Sequence, residues 1–410
     1  MEKPAILGGK PVREKPLPFV SIIFDDDEIQ SSLIALKDRA LASGVFIEKF
    51  EKEFANFIGT KYAVSVSNGT DGLFLAYLVL GLTFNKHVVT TPITFIATAS
   101  TIVHTGAIPI FADVDFDGNI SPESVAKVVK SGEVDGLSLV HLYGKPVEMD
   151  PILEIAEEYQ IPIIEDASHA HGAEYKGKKV GSIGDIGVFS LYPTKVIAAG
   201  GWGGVITTNN REIYEKLLYL RAHGEERVKL GKAGAYTYIR LGYNLRMSNI
   251  EAAVAYHQLK KINKFIEARQ KNAKLLTDLL SDVDGLILPT YPAYMKHIFY
   301  IYNVLIDENK IGWTRDKFVE ALNAEGIPAE RGYHTPLHKQ PLFQRINDPN
   351  VNHFARIIKY PDYGKVKLPK AEEVAKRTIW LPVHPGLNEE DIESIAKAIV
   401  KLIEWKKGKS

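Results

Sequence analysis

The sequence predicts an α/β protein built on a mostly parallel sheet with helices on both faces, and three observations lead to this prediction. Short apolar runs recur along the first part of the chain without clean alternation of polar and apolar residues. Helical patterns separate these runs, as expected for strands that are buried on both faces. With 410 residues the chain is too long for one small core, so a second domain is expected.

The order of the elements predicts three regions. Residues 1–30, rich in Pro, Gly and charge, are expected to form an N-terminal arm that packs in part with the small domain. Residues 31–282 are predicted to form the large domain, which begins with helices at 27–42 and 47–57, the second ended by Gly59. Residues 283–410 are predicted to form the smaller C-terminal α/β domain. The apolar runs predicted as strands of the large domain are 62–66, 87–91, 108–114, 137–142, 161–165, 186–191 and 204–208.

Helical patterns fill the intervals and the C-terminal part. The predicted helices are 70–80, 121–129, 150–159, a long one at 248–280, then 314–325 and 388–406, with further strands at 298–306 and 378–381.

Composition excludes several classes of function. Lys plus Arg and Asp plus Glu are both 50, which argues against a nucleic-acid-binding protein. The absence of Cys excludes thiol catalysis, disulfides and thiolate metal sites. The N-terminus has no apolar stretch typical of a signal peptide, and no window approaches the ~20 apolar residues that span a bilayer. A cytoplasmic protein without a membrane segment is therefore expected.

A lysine in an unusual setting is the first candidate for chemistry. Lys195 follows the apolar strand predicted at 186–191 and precedes a loop with four glycines within 200–204. Glycine permits close approach of the backbone to a ligand, and partial desolvation would favour the neutral, nucleophilic amine. A solvated surface lysine is the alternative, but the setting favours a Schiff base with an aldehyde.

A carboxylate ends the strand predicted just upstream. Asp166 could cap a helix, or it could pair with the pyridine nitrogen of pyridoxal 5′-phosphate, a cofactor that needs a lysine and an acid from its protein. Glu165 is the rival carboxylate. If the strand alternates, the two side chains point to opposite faces, so only one can serve.

Further residues fit the phosphate and the ring of this cofactor. Residues 67–72 follow a strand and open a helix, where backbone N–H groups bind anions, although ordinary helix capping explains the pattern equally well. Ser190 offers another hydroxyl. Phe95, at a strand end, is ordinary core or a ring that stacks on the cofactor. His169 and His171 could contact the ring, and no further ligands in the sequence suggest a metal site.

These segments together resemble the DegT/DnrJ/EryC1/StrS family, the sugar aminotransferases of the aspartate aminotransferase, or fold type I, superfamily. The resemblance covers nearly the whole chain in order and implies a seven-stranded large-domain sheet. The matching segments are 67–73, 91–100, 111–115, 141–144, 164–173, 181–195, 221–224, 242–247, 335–338 and 381–387.

The resemblance implies a role for each site residue. Lys195 matches the Schiff-base lysine, Asp166 the residue facing the pyridine nitrogen, and His169 a side chain that contacts the cofactor. Phe95 matches the aromatic that stacks on the ring. Asn244 matches an asparagine that reaches the phosphate from the neighbouring subunit, which implies a homodimer with shared active sites. The remaining phosphate ligands implied are Gly69, Thr70 and Ser190.

The resemblance also implies the reaction: a ping-pong transfer of an amino group from an amino acid, Glu or Gln, to a keto-sugar, usually nucleotide-linked. Lys195 argues against the family branch that carries His there and dehydrates. Trp202 departs from the usual Glu of the glycine-rich loop. The alternatives are a cyclitol ketone as acceptor, because residues 5–13 are similar to the start of inosose aminotransferases, and a non-catalytic regulator.

The sequence leaves the roles of some residues open. His334 and His338 are as consistent with packing as with a substrate pocket. Basic residues that could meet a nucleotide diphosphate, each with a solvated role as the alternative, are Arg221, Lys229, Lys232, Arg240 and Arg331.

Overall fold

A seven-stranded sheet lies within the residues predicted as the large domain. The computed structural model describes residues 2–39, 41–225 and 237–408. The strands are β1 (Tyr62–Val66), β2 (His87–Thr90), β3 (Ile108–Phe111), β4 (Gly136–Val140), β5 (Ile163–Asp166), β6 (Glu174–Tyr175), β7 (Lys178–Lys179), β8 (Ile186–Ser190), β9 (Gly204–Thr208), β10 (Leu286–Ile287), β11 (Met295–Lys296), β12 (Tyr302–Ile306) and β13 (Thr378–Leu381). The seven-stranded sheet has the order β1-β9-β8-β5-β4-β2-β3.

Most neighbours in this sheet run parallel. The pairs β2–β3, β2–β4, β4–β5 and β5–β8 are parallel, while β9 pairs antiparallel with both β8 and β1. Every residue of β4 and β5 is buried, as expected for strands covered on both faces. The predicted fold class, with a mostly parallel seven-stranded sheet, is confirmed.

Helices lie between the strands and beyond them. They are α1 (Asp26–Lys37), α2 (Val45–Ile58), α3 (Gly69–Val79), α4 (Ala97–His104), α5 (Pro122–Ser131), α6 (Met149–Tyr159), α7 (Arg211–Leu220), α8 (Asn249–Leu280), α9 (Glu308–Ile311), α10 (Arg315–Ala324), α11 (Pro341–Gln344), α12 (Pro369–Arg377) and α13 (Glu389–Lys407). Within the described residues, none of these helices is long and apolar enough to cross a membrane.

Local signals explain where two of the helices lie. Gly59 ends α2 in the left-handed conformation with φ 88°, as predicted. Ser248 and Glu251 form a capping box that begins α8.

The strand predicted at 298–306 begins only at Tyr302, because Phe299 has φ 51° and interrupts an extended backbone. The helix predicted at 27–42 ends at Lys37.

The C-terminal part has its own antiparallel sheet in the order β10-β12-β13, with α10 and α13 packed in the same apolar core. The N-terminal arm is attached there by the buried Glu325, whose carboxylate accepts hydrogen bonds from the Ala5 and Val12 backbone N–H groups. Lys401 donates to Glu325 at 2.8 Å and to the Lys10 carbonyl at 2.6 Å. These contacts support the proposed packing of the arm with a small domain.

Candidate active site

The candidate residues gather where β4, β5 and β8 end. Because these strands are parallel, their carboxyl ends meet at one edge of the sheet, where α/β proteins commonly bind ligands. Asp166 is the last residue of β5 and pairs in register with Val140 of β4 and Val188 of β8. Ser190 ends β8, five residues before Lys195.

The Asp166 carboxylate is buried and held in a fixed orientation. Its Oδ2 accepts a 2.8 Å hydrogen bond from the Thr98 hydroxyl, and its Oδ1 accepts a 3.2 Å bond from the Ser168 backbone N–H. Thr98 lies on α4 and is fixed in turn, since the Tyr77 hydroxyl donates to its carbonyl at 3.0 Å. Thr98 has no local signal in the sequence, because only the fold brings α4 to β5.

Glu165, the rival carboxylate, points to the other side of the sheet. Its oxygens accept hydrogen bonds of 2.8, 2.8 and 2.7 Å from the backbone N–H groups of Gly181, Ile183 and Gly184. His141 Nε2 lies 2.9 Å from its Oε2. Glu165 therefore orders a turn, and Asp166 is the carboxylate left at the cleft.

A tyrosine far along the chain joins the lysine to the histidine of the site. The Lys195 amine lies 4.9 Å from the centre of the Tyr300 ring, close enough for a cation–π contact. The same ring stacks on His169 with 4.4 Å between centroids, and the Tyr300 hydroxyl lies 3.2 Å from the Thr194 hydroxyl. Nothing in its local sequence marked Tyr300 as a site residue.

The two histidines after Asp166 are buried and hold no charge at neutral pH. Burial, with the nearby Lys195 charge, lowers the pKa of His169 well below its ordinary value, and lowers that of His171 to about 3. The Nδ1 atom of His169 is buried without a hydrogen-bond partner. An unpaired buried nitrogen beside Lys195 fits a ligand that the protein is built to receive.

The start of α3 forms a cradle against the end of β8 and the start of β9. A Cβ atom at Gly69 would lie 2.8 Å from the Ser190 Cβ, so only glycine fits. The backbone N–H groups of Gly69 and Thr70 belong to the first helical turn and have no acceptor within the helix. Thr70 is exposed and Ser190 is half-buried, so their hydroxyls can meet a ligand there.

Aromatic side chains rim the cleft. Phe95 is 58% exposed one turn before Thr98, whose backbone N–H donates to the Phe95 carbonyl. Trp202 is 64% exposed between β8 and β9, in the loop where the sequence departs from the family pattern. Exposed rings of this size at a cleft are candidates for contact with a flat ligand or a partner subunit.

Asn244 lies on the outer surface. It is exposed, and its Oδ1 accepts hydrogen bonds from Arg246 Nε at 3.2 Å and from an Arg246 terminal nitrogen at 3.0 Å. Within the described ranges, its side chain forms no hydrogen bond with Ser190 or with the start of α3. Leu241, three residues away, is 93% exposed.

The other sequence candidates are dispersed. Arg221 is engaged through one terminal nitrogen, which lies 2.5 Å from the Glu51 carboxylate and 2.7 Å from the Ser65 carbonyl. His338 is fully buried, with Nε2 3.5 Å from Glu372, whereas His334 is exposed. Burial lowers the pKa of His338.

Two of the remaining basic candidates contact other side chains. Arg331 lies 3.5 Å from Asp316, and Arg240 contacts the Tyr219 ring. Lys229 and Lys232 lie outside the described residues.

Comparison with known proteins identifies the family. Residues 23–400 match the DegT/DnrJ/EryC1/StrS aminotransferase family. The chain belongs to this family. It is similar to the UDP-4-amino-4,6-dideoxy-N-acetyl-beta-L-altrosamine transaminase of Campylobacter jejuni strain 81-176, with 32% identity over 93% of this chain and 96% of the transaminase.

Two further similarities agree with this assignment. GDP-perosamine synthase of Caulobacter vibrioides is 31% identical over 88% of this chain and 91% of that enzyme. The crystal structure of an aminotransferase from Psychrobacter cryohalolentis superposes with a TM-score of 0.86 and 30% identity, covering 95% of this chain and all of that one. This DegT-family protein is therefore a pyridoxal 5′-phosphate-dependent aminotransferase of fold type I.

The residues present fit that cofactor. The glycine-lined start of α3, the orphaned His169 nitrogen and the fixed Asp166 carboxylate match a phosphate, a polar ring substituent and a ring nitrogen. Among the described residues, no group of three or more His, Cys, Asp or Glu side chains could hold a metal ion.

Proposed function

We propose that this enzyme moves an amino group from an amino acid, Glu or Gln, to a nucleotide-linked keto-sugar, in the two half-reactions of a ping-pong mechanism. The observation that carries the proposal is the placement of the Lys195 amine against the Tyr300 ring, which stacks on His169 just after Asp166 at the end of β5. The names of the two curated relatives, a transaminase of a UDP-linked amino sugar and a GDP-perosamine synthase, support a nucleotide-linked acceptor.

Each predicted site residue has a proposed place. Gly69, Thr70 and Ser190 would bind the cofactor phosphate through backbone N–H and hydroxyl groups, next to the dipole of α3. Asp166 would hold the pyridine nitrogen, and Phe95 would cover a face of the ring. When bound, pyridoxal 5′-phosphate supplies an aldehyde that exchanges amines and a protonated ring that spreads negative charge.

His169 is proposed to hydrogen-bond the cofactor through Nδ1. Because burial keeps its imidazole uncharged, this side chain adds no positive charge to the site and can act as a donor or an acceptor, according to its tautomer. Its stacking on Tyr300 fixes the orientation of the ring before the ligand arrives.

Lys195 is proposed to have two tasks. Its amine would hold the cofactor through the aldehyde, and the free amine would take up and release the proton of the donor α-carbon. Tyr300 lies beneath this amine and limits where it can move. The second half-reaction uses the same proton path in reverse, with the ketone in place of the keto acid.

Asn244 is proposed to act in the active site of a second copy of the chain. Its exposure, together with the exposed Leu241 and Tyr243 beside it, supports a surface that another protomer covers. Two such chains in an isologous dimer would complete two shared sites. Trp202, exposed in the loop after Lys195, is a further candidate for contact with the acceptor.

Single-turnover experiments on the aminated enzyme, loaded with pyridoxamine phosphate, test the acceptor. We expect a UDP- or GDP-linked keto-hexose to regenerate the absorbance of the aldehyde form, and added salt to weaken this reaction because the diphosphate is charged. Turnover with a free inosose alone would favour the cyclitol alternative. No turnover with any keto-sugar, by an enzyme that binds the cofactor, would refute the proposed function.

A further inference from the structure

A buried arginine next to the site has no acidic partner. Arg269 on α8 is 4% exposed, and within the described parts of the chain it forms no ion pair with a carboxylate. One terminal nitrogen donates to the Tyr300 carbonyl at 3.0 Å, and Nε has no hydrogen-bond partner. Burial lowers its pKa to about 10, which still leaves it charged at neutral pH. A buried, unpaired charge is strongly unfavourable unless a ligand neutralises it.

This arginine lines a cavity beside the catalytic lysine. The cavity, of about 210 Å³, is also lined by Thr194, Tyr300, Trp380 and His384. Arg269 and Lys195 together line a smaller adjoining cavity, and the Lys195 amine contacts the ring of the same Tyr300 whose carbonyl Arg269 binds. The guanidinium is therefore next to the place where the donor must react.

Within the described part of the chain, the other polar side chains of this cavity wall do not pair with Arg269. Trp380, on β13, lines the cavity, and its ring lies against Tyr143 with 5.6 Å between ring centroids. His384 is already used, with Nε2 3.0 Å from the Pro18 carbonyl. Glu330 lies on the wall without forming an ion pair to Arg269, and burial raises the pKa of its carboxyl. The wall of this cavity therefore presents the Arg269 charge with an unsatisfied Nε–H donor and no bonded carboxylate among the described residues, which is a setting that suits an anionic ligand.

We propose that Arg269 receives the α-carboxylate of the amino donor. This inference rests on the proposed function, because it assigns a place to the donor of that reaction. The planar guanidinium matches a carboxylate in two parallel hydrogen bonds. The α-carboxylate is bonded to the carbon that loses its proton, so the group that binds it must lie near Lys195. The reacting carbon of the keto-sugar carries no carboxylate, so the proposal assigns Arg269 to the half-reaction with the amino acid.

The test measures the two half-reactions separately in the wild type, Arg269→Gln and Arg269→Lys. With L-glutamate, the second-order rate constant of the donor half-reaction should fall about 100-fold in Arg269→Gln, because the bidentate charge-assisted contact is lost. The half-reaction of the aminated enzyme with the keto-sugar should stay within about 3-fold. Arg269→Lys should be intermediate, since it keeps the charge without the planar fork.

A binding measurement gives a readout independent of turnover. Calorimetric titration with glutarate, which is glutamate without its amine, should show Kd raised about 10-fold or more in Arg269→Gln. The matched variant Glu330→Gln, which removes the carboxylate from the same cavity wall, should bind glutarate at least as tightly as the wild type. Should Arg269→Gln fail to fold, the comparison of glutarate binding by Arg269→Lys and by Glu330→Gln decides whether Arg269 binds the carboxylate.

Three outcomes separate the possibilities. An equal loss in both half-reactions would mean that Arg269 only supports Tyr300, and the inference would be wrong. An unchanged donor half-reaction together with unchanged glutarate binding would also overturn it. Failure of the wild type itself to aminate any keto-sugar would count against the proposed function and would leave the donor-side comparison to decide the role of Arg269.

Discussion

Replacing Gly69 by Ala tests the phosphate cradle at the start of α3. A Cβ atom at this position would lie 2.8 Å from Cβ and 3.2 Å from Cα of Ser190. Both are shorter than ordinary carbon–carbon contacts, and neither atom belongs to the flexible end of a side chain. The helix start and the end of β8 must therefore move apart, which separates the Ser190 hydroxyl from the N–H groups of the first helical turn.

The expected magnitude follows from two opposing effects. Overpacking costs about 1–3 kcal/mol, and Ala in place of a helical Gly recovers up to about 1 kcal/mol. The free energy of unfolding of the cofactor-free protein should therefore fall by no more than about 3 kcal/mol. Each lost hydrogen bond to the charged phosphate is worth about 1.5–3 kcal/mol, so Kd for pyridoxal 5′-phosphate should rise about 10- to 100-fold.

The assay compares two ligands in titrations of the cofactor-free protein. Pyridoxal, which lacks the phosphate, should bind the wild type and Gly69→Ala alike, whereas pyridoxal 5′-phosphate should discriminate between them. Gly132→Ala is the matched control, because a Cβ there meets no heavy atom within 4 Å. Unchanged affinity of Gly69→Ala for the phosphorylated ligand, or an equal loss for both ligands, would refute the reasoning.

Three other predictions follow from the site. Asp166→Asn should slow the donor half-reaction about 100-fold or more while the cofactor stays bound. Glu165→Gln should instead lower the midpoint of thermal unfolding, because it disturbs the buried contacts of the turn. The reverse pattern would exchange the roles of the two carboxylates. Because burial holds the pKa of His171 at about 3 rather than 6.5, the unfolded chain gains a proton first as the pH falls. The free energy of unfolding should then drop by about 1.4 kcal/mol per pH unit for this residue below about pH 6.5, and His171→Gln should flatten that slope; an unchanged slope would contradict the assignment. Asn244→Ala should retain the cofactor poorly, and mixing it with Lys195→Ala should restore some activity in heterodimers; no rescue after verified subunit exchange would argue against shared sites.

Elements with strong local signals could be predicted from the sequence. The strand at Tyr62–Val66 and the capped helix Asn249–Leu280 follow from an apolar run and a capping box. Helix α4 was missed because buried residues occur around most of it, which removes the amphipathic pattern. The two-residue strands β6, β7 and β10 are too short to carry a periodic pattern.

Some residues of the candidate site could likewise be predicted from the sequence, and others could not. Lys195 and Asp166 were predicted because each follows an apolar strand, but the choice between Asp166 and Glu165 needed the turn at 181–184. Thr98, Tyr300 and Arg269 had no local signal. Their positions in the site depend on contacts between segments that are distant in sequence, which a single sequence does not reveal.

The central claim is that Lys195 holds the cofactor. Reduction of the cofactor-loaded protein with borohydride, followed by mass spectrometry of its peptides, tests this directly because reduction makes the lysine–cofactor bond permanent. We predict a pyridoxyl phosphate adduct on the peptide containing Lys195, absent in Lys195→Ala even though that variant folds. An adduct on another lysine, or no adduct at saturating cofactor, would contradict the account.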